Sequence, residues 1–433
     1  MAWWLGVYLA LVIAPLAVLM IGGRPAAGGL GWDFAMALGY AGIAMTGIQF
    51  ALTARFRHAT APFGIDIVYY FHRWLAVLAF VLIGVHVAVL SLAYPAAMGP
   101  LDPRNAPWPM TAGRAAFVLF GIVVVTSLWR RQLRIAYDGW RRIHAALTTL
   151  ALVLAIGHVA GSGHYLDTPV KRVLWVALAG FWLLLVVNVR LVRPFRMLRR
   201  PWQVRTVRRE PGRSWTLEIE PVGHAGLRFA PGQFAWLSLR ASPFALREHP
   251  FSIASSPLRT DALEFTIKEL GDFTRTIGTI RPGEPAWIDG PFGAFTTDRH
   301  PRAPGLVFIA GGVGVAPIMS MLRTFAARGE RRPLRLFYGN RRWERVVFRE
   351  ELAELAQRLD LALVHILGEP PADWAGESGL LTRGLLDRHL PDARAELEYF
   401  VCGPDPMIRV AERSLVELGV PLRRIHSEIF QLA

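Results

Sequence analysis

Two apolar stretches of this chain each carry a pair of histidines at one spacing. His72 and His86 lie in YYFHRWLAVLAFVLIGVHVAVLSLA, and His144 and His158 lie in WRRIHAALTTLALVLAIGHVAG, both pairs fourteen residues apart. On a helix that separation returns to within about 40° of the same face, about 21 Å further along the axis. Each helix therefore places one imidazole near either edge of an apolar layer about 30 Å thick. A lone buried histidine is ordinarily a hydrogen-bonded packing residue, yet ionisable side chains at membrane depth are expensive. The other eight of the twelve histidines fall outside the apolar spans. Two facing helices would stack the rings into two sites, each with one nitrogen on either side of a centre. A six-coordinate b-type haem needs that arrangement, because the porphyrin fills its in-plane positions. One shared metal ion is excluded, since imidazoles that far apart along a helix cannot meet.

A mean hydropathy of +0.33 with 53% hydrophobic residues points to a membrane protein. The apolar runs give six candidate spans, about 3–21, 33–53, 68–92, 115–129, 143–161 and 172–192. The first could be a signal peptide, but it lacks a basic leader. The net charge of +15 is carried by arginines grouped at Arg55 and Arg57, at Arg130 to Arg142, and from Arg190 to Arg209. Each group follows an even-numbered span, the positive-inside pattern, so both termini are expected in the cytoplasm of a multi-pass cell-membrane protein. His72 and His144 then form the inner pair, and His86 and His158 the outer pair. Arg73 and Arg142 beside the inner pair suit either haem propionates or lipid headgroups. No basic stripe with interleaved base-stacking aromatics is present, so nucleic acid is not an expected partner. The single cysteine, Cys402, excludes disulfides, thiolate zinc sites, a four-cysteine cluster and covalent haem attachment within the chain.

The pattern predicts a multidomain membrane protein. Residues 1–192 form an all-α six-helix transmembrane bundle, and 193–202 a basic linker. From 203 to 300, period-two runs such as SWTLEIE and GQFAWLSLR predict a small antiparallel β-barrel. From 301 to 433, apolar strands alternate with helical patterns, which predicts an α/β domain with a parallel sheet.

IAGGVGVAP, residues 309–317, puts glycines between a strand and a helix, where backbone N–H groups can approach a pyrophosphate. The following strand ends in Arg341 and Arg342 instead of an acid, which favours the 2′-phosphate of NADPH over NADH. HPFS at 249–252, GDFT at 271–274 and VCGP at 401–404 occur in order along the same region. With these motifs, residues 203–433 resemble the ferredoxin-NADP reductase family. Together with the four histidines, the whole chain resembles the ferric reductase and NADPH oxidase superfamily. The resemblance implies that His249, Pro250, Phe251 and Ser252 contact a flavin, with the Ser252 hydroxyl near its reactive nitrogen. It implies that Lys268, Gly271 and Thr274 cradle the FAD pyrophosphate, and that Gly311, Gly312, Gly314 and Pro317 form the nicotinamide-dinucleotide turn. It places Cys402, Gly403 and Pro404 beside the nicotinamide, Glu428 as the terminal acid and Phe430 over the flavin face. Gln431, Leu432 and Ala433 extend past that aromatic, a departure from the family pattern. Without the family, Ser252, Cys402, Glu428 and Phe430 have ordinary structural readings as a strand hydroxyl, a small buried residue, a surface charge and core.

The expected cofactors are FAD, two b-type haems and NADPH, with NADH possible. The expected function is transfer of electrons from cytoplasmic NADPH through FAD and haem to an acceptor outside, ferric chelates being preferred to molecular oxygen. The second span has no embedded arginine and Val87 to Leu90 are apolar, which weighs against dedicated superoxide production. His164 and Asp167 in the last outer loop suit either small-molecule acceptor. The alternative of another class is a membrane-anchored flavoreductase serving a partner protein or quinone.

Overall fold

The computed structural model describes residues 2–20, 29–54, 65–163 and 165–429, in two compact units, the first mainly up to Pro194 and including Phe244–Leu246, the second mainly from Phe195 onward. The helical unit comprises α1 (Ala2–Met20), α2 (Leu30–Thr53), α3 (Ile65–Ala93), α4 (Pro95–Met98), α5 (Trp108–Leu128), α6 (Tyr137–Ser162) and α7 (Pro169–Val187). Among the described residues, α2, α3, α5, α6 and α7 with its continuation are long and apolar enough to cross a membrane. α1 is a further apolar helix, as the hydropathy predicts. Their shared core mixes aromatic and aliphatic side chains: Tyr40, Phe120, Leu152, Trp175 and Trp182 are buried together, with Trp175 edge-on to both Tyr40 and Trp182. Along the rest of these helices, large apolar side chains such as Val118, Val153, Val176 and Leu184 face outward. A water-soluble bundle would bury them, whereas lipid accepts them.

The span expected at 115–129 begins earlier, at Trp108. Pro109 stands in its first turn, where proline is tolerated because its missing N–H has no intrahelical partner. The Arg114 guanidinium is spent on the carbonyls of Met98, Gly99 and Pro100, which end the preceding helix. Past α7 the helix widens into a π turn, Asn188–Val192, before α8 (Arg193–Leu198).

The second unit holds two six-stranded sheets. The first contains β1 (Trp202–Glu210), β2 (Ser214–Pro221), β3 (Phe234–Leu239), β4 (His249–Ser252), β5 (Leu263–Lys268) and β6 (Pro285–Phe292) in the order β4-β3-β6-β1-β2-β5. All its ladders are antiparallel, and a bridge between Ile253 and Phe265 joins its two edges, closing the sheet on itself. The second contains β7 (Leu306–Gly311), β8 (Leu334–Asn340), β9 (Leu361–Leu367), β10 (Glu377–Ser378), β11 (Glu398–Gly403) and β12 (Ile425–Ile429) in the order β10-β9-β8-β7-β11-β12. Every ladder in it is parallel. Its helices are α9 (Val315–Arg328), α10 (Arg349–Arg358), α11 (Arg383–His389) and α12 (Asp405–Glu417). The chain moves outward one way from β7 through β10 and the other way from β11 to β12. The strand order therefore reverses between β7 and β11, where sheets of this kind open a crevice for a ligand.

A polar seam on α9 locks the barrel to the α/β layer. Arg323 bonds Glu264 of β5 at 2.7 Å, the Ala254 carbonyl at 2.9 Å and Glu351 of α10 at 2.6 Å. Ser320 donates to the Ser255 carbonyl and Thr324 to Ser256. Replacing Arg323 with methionine keeps most of the volume but removes the cation shared by Glu264 and Glu351, leaving half-exposed Glu351 without it and Glu264 with Arg259 alone. A loss of about 2 kcal/mol of stability is expected, readable as a lower urea midpoint for flavin release; a midpoint unchanged within error would show the seam to be idle.

Candidate functional site

α3 and α6 bring the expected inner pair together: the rings of His72 and His144 lie 6.5 Å apart, centre to centre, at 69°. Each of the four rings is tied through Nδ1 to a neighbouring helix. His86 Nδ1 donates to the Ala35 carbonyl at 2.7 Å, and His158 Nδ1 donates to the Pro109 carbonyl at 2.7 Å. A carbonyl can only accept, so the proton sits on Nδ1 and the lone pair of the neutral ring is left at Nε2. His72 Nδ1 meets Gln49 Oε1 at 2.8 Å, and His144 Nδ1 meets Ser127 Oγ at 3.3 Å. Such anchoring of the far nitrogen is the usual support of a metal-binding imidazole.

The anchoring repeats. α2 presents Ala35 and, one turn later, Gly39 to His86; α5 presents Pro109 and, one turn later, Gly113 to His158. A Cβ at Gly39 would lie 2.9 Å from His86 Nδ1, and one at Gly113 only 2.7 Å from His158 Nδ1. Only glycine lets these rings lie against the neighbouring backbone. These supports were not read from the sequence, although the small-x-x-x-small spacing of Ala35 and Gly39 on an apolar helix signals close helix approach. Of the two arginines near the inner pair, Arg73 lies over the Trp74 ring and Arg142 donates to the Asp138 carbonyl. Asp167, in the loop before α7, pairs with buried Lys171 at 3.0 Å, and His164 lies outside the described residues.

In the second unit the separated motifs converge. His249 and Phe251 come from β4 and Phe273 from the GDFT segment; the His249 ring stacks on Phe273 at 3.8 Å and 13°. Ser252 ends β4 and is buried, and its hydroxyl has no hydrogen-bond partner among the described residues. An orphaned buried hydroxyl costs free energy unless something else pairs with it, so a flavin edge with polar atoms fits there. The Thr274 hydroxyl braces its own turn, accepting from the N–H groups of Leu270 and Gly271 and donating to the Gly271 carbonyl. Lys268, at the end of β5, reaches the nucleotide turn: its Nζ lies 4.0 Å from where a Cβ on Gly312 would stand.

That turn follows β7, and Cys402, Gly403 and Pro404 follow the course of β11, so the two segments flank the point where strand order reverses. They are in backbone contact. A Cβ on Gly314 would lie 2.4 Å from the Cys402 carbonyl oxygen. Pro317 sits buried in the first turn of α9. Cys402 pairs in register with Glu428 of β12, and both are buried. Burial, reinforced by the Glu428 carboxylate, pushes the thiol well above its ordinary range, so Cys402 is a protonated thiol at neutral pH. At the end of β8, Arg341 and Arg342 share one carboxylate, Glu369, each at 2.6 Å. The acid that β8 lacks in sequence is supplied in space by the segment after β9. Phe430 and the residues after it lie outside the described residues.

Residues 38–155 match the ferric reductase-like transmembrane component, 213–281 an FAD-binding domain and 308–413 the oxidoreductase NAD-binding domain. The chain has the ferric reductase and NADPH oxidase architecture. Its second unit is an oxidoreductase module with FAD- and NAD-binding domains. The reductase component of propane 2-monooxygenase from Mycolicibacterium goodii is 33% identical over 224 residues, covering 50% of this chain and 63% of that protein. The glycine betaine monooxygenase reductase subunit of Chromohalobacter salexigens is 29% identical over 249 residues, covering 55% of this chain and 63% of that one. The chain thus spans under two thirds of these relatives' lengths. A flavohemoglobin of Malassezia yamatoensis, solved with bound FAD and heme, aligns over 97% of both chains at 18% identity with a TM-score of 0.51, a likeness of fold alone.

Proposed function

We propose that this protein carries electrons from NADPH, on the cytoplasmic side, through FAD and two b-type haems to an acceptor outside, ferric chelates being the preferred class. The observation that carries this reading is the set of four intramembrane imidazoles, each held through Nδ1. Two imidazoles bound to one metal at about 2 Å per bond stand about 6 Å apart between ring centres, close to the separation of His72 and His144. Bound FAD would take a hydride and release single electrons, and bound haem would accept them one at a time.

The chain's own groups set up that exchange. Ala35, Gln49, Pro109 and Ser127 fix the ring orientations. Lys268 brings a positive charge over the nucleotide turn, and Gly314 lets the backbone beside Cys402 approach it. Cys402 offers a thiol proton instead of a thiolate, so it positions without competing as a nucleophile. The arginine groups keep the module on the cytoplasmic face, and the resting membrane potential then favours outward electron movement by about 2.3 kcal/mol per 100 mV. Arg341 favours NADPH; NADH is the alternative donor.

The test is the spectrum of the purified full chain. Two b-haem contributions that become reduced on adding NADPH are expected, with ferric-chelate reduction outside proteoliposomes loaded with NADPH. Superoxide without ferric reduction would replace the acceptor. A flavin-only spectrum would overturn the proposal in favour of a membrane-anchored flavoreductase, the second reading, which the resemblance to two monooxygenase reductase components supports.

A further inference from the structure

We propose that His300, Glu398 and His426 form a zinc-binding site at the amino-terminal end of the parallel sheet. His300 lies in the segment leading to β7, Glu398 opens β11, and His426 is the second residue of β12. The nucleotide turn and Cys402 lie at the carboxyl ends of the same strands, so this cluster is separate from the redox site. Glu398 Oε2 is 2.8 Å from His426 Nε2 and 3.4 Å from His300 Nδ1. One ligand atom from each residue falls within 4.8 Å of the others. Zinc bonds of about 2.0–2.1 Å in tetrahedral geometry space ligand atoms about 3.3 Å apart, so small side-chain shifts complete the set. Two imidazoles and one carboxylate suit zinc and leave a fourth position for water.

The side chains are held for this. Buried Phe400 packs against both rings, 5.9 Å from His300 and 5.0 Å from His426, and the two imidazoles lie 4.3 Å apart. Arg424 takes the other carboxylate oxygen at 3.1 Å, leaving Oε2 as a single donor. Burial, with His426 beside it, holds the His300 imidazole below the ordinary histidine range, so its lone pair is free at neutral pH. Arg299 and Arg424 are the nearby cations that a metal must tolerate. A bound ion would staple the entry to β7 onto the last two strands.

The test uses the detergent-purified full chain, stripped with chelator and titrated with zinc chloride, with zinc and iron measured separately by mass spectrometry. One zinc per chain is expected, removable by EDTA and lost in acid as protons compete for the imidazoles, together with a rise of several degrees in the temperature of flavin release. His300→Ala/His426→Ala should lose the zinc and the thermal rise while the rate of FAD reduction by NADPH stays unchanged. Should the double variant not fold, His300→Ala alone, in a loop, should weaken zinc binding at least about 10-fold. His389→Ala, which removes a histidine paired with Glu377 elsewhere, should retain it. No zinc, or equal zinc in wild type and His300→Ala, would overturn the proposal and mark any bound metal as adventitious.

Discussion

Replacing His144 with leucine is expected to stop outward electron transfer while leaving the flavin chemistry intact. Leucine is at home in the apolar span, so the helix keeps its place, but the inner pair keeps only the His72 nitrogen. Even the groups that support a metal-bound imidazole are worth about 10- to 100-fold in metal affinity, and the imidazole itself is worth more. Haem per chain should therefore fall from two to one or fewer, and NADPH-driven reduction of an external ferric chelate should drop by about 100-fold or more. Reduction of FAD by NADPH, followed as bleaching of flavin absorbance, should proceed at the wild-type rate, because its residues lie in the second unit. Ser127→Ala, which removes only the hydroxyl at His144 Nδ1, should produce a milder loss of about 10-fold. A His144→Leu protein with two haems and normal outward flux would refute the ligand role of the inner pair and, with it, the proposed electron path.

What the sequence made legible follows the range of each signal. The histidine spacing, the apolar spans and the change from period two to alternating strands and helices are local patterns, and the structure contains the elements they predict. The spacing could say that His72 and His144 share depth, but not that their rings face each other; that depends on how two helices pack. Anchoring of His86 and His158 escaped the reading because backbone carbonyls at Ala35 and Pro109 carry no side-chain signature, and that of His72 and His144 because Gln49 and Ser127 meet them only through helix packing. The early start of the fourth span at Trp108 escaped for a different reason. A charge inside an apolar run argues against a span until its guanidinium is seen capping the helix before it. The absence of an acid after β8 was read correctly along the chain, yet Glu369 arrives from the adjacent strand's end. Pairings between strands distant in sequence, such as Cys402 with Glu428 and the cluster at His300, are invisible without topology.

The topology also decides what Gly314→Val should do. Between β7 and α9 the backbone passes directly over the end of β11, and the side chain position at Gly314 is already filled by the carbonyl carbon of Cys402 at 2.7 Å, its oxygen at 2.4 Å and Gly403 Cα at 2.9 Å. None of these is the far end of a flexible side chain. β11 is held in register between β7 and β12, so it cannot retreat without breaking ladders on both sides. The turn must move instead, carrying its N–H groups out of line with a bound pyrophosphate. The expected result is a stability loss of about 1–3 kcal/mol from overpacking and a fall in kcat/KM for NADPH of about 100-fold, each decade being about 1.4 kcal/mol of lost transition-state binding. The flavin should remain bound, since Ser252 and the stacked His249 and Phe273 are untouched. Dithionite, which reduces the flavin without using the nucleotide turn, should then restore outward electron flux to the wild-type level. Normal use of NADPH by the variant, or failure of dithionite to rescue it, would show that the contact between the β7 turn and β11 does not gate hydride delivery.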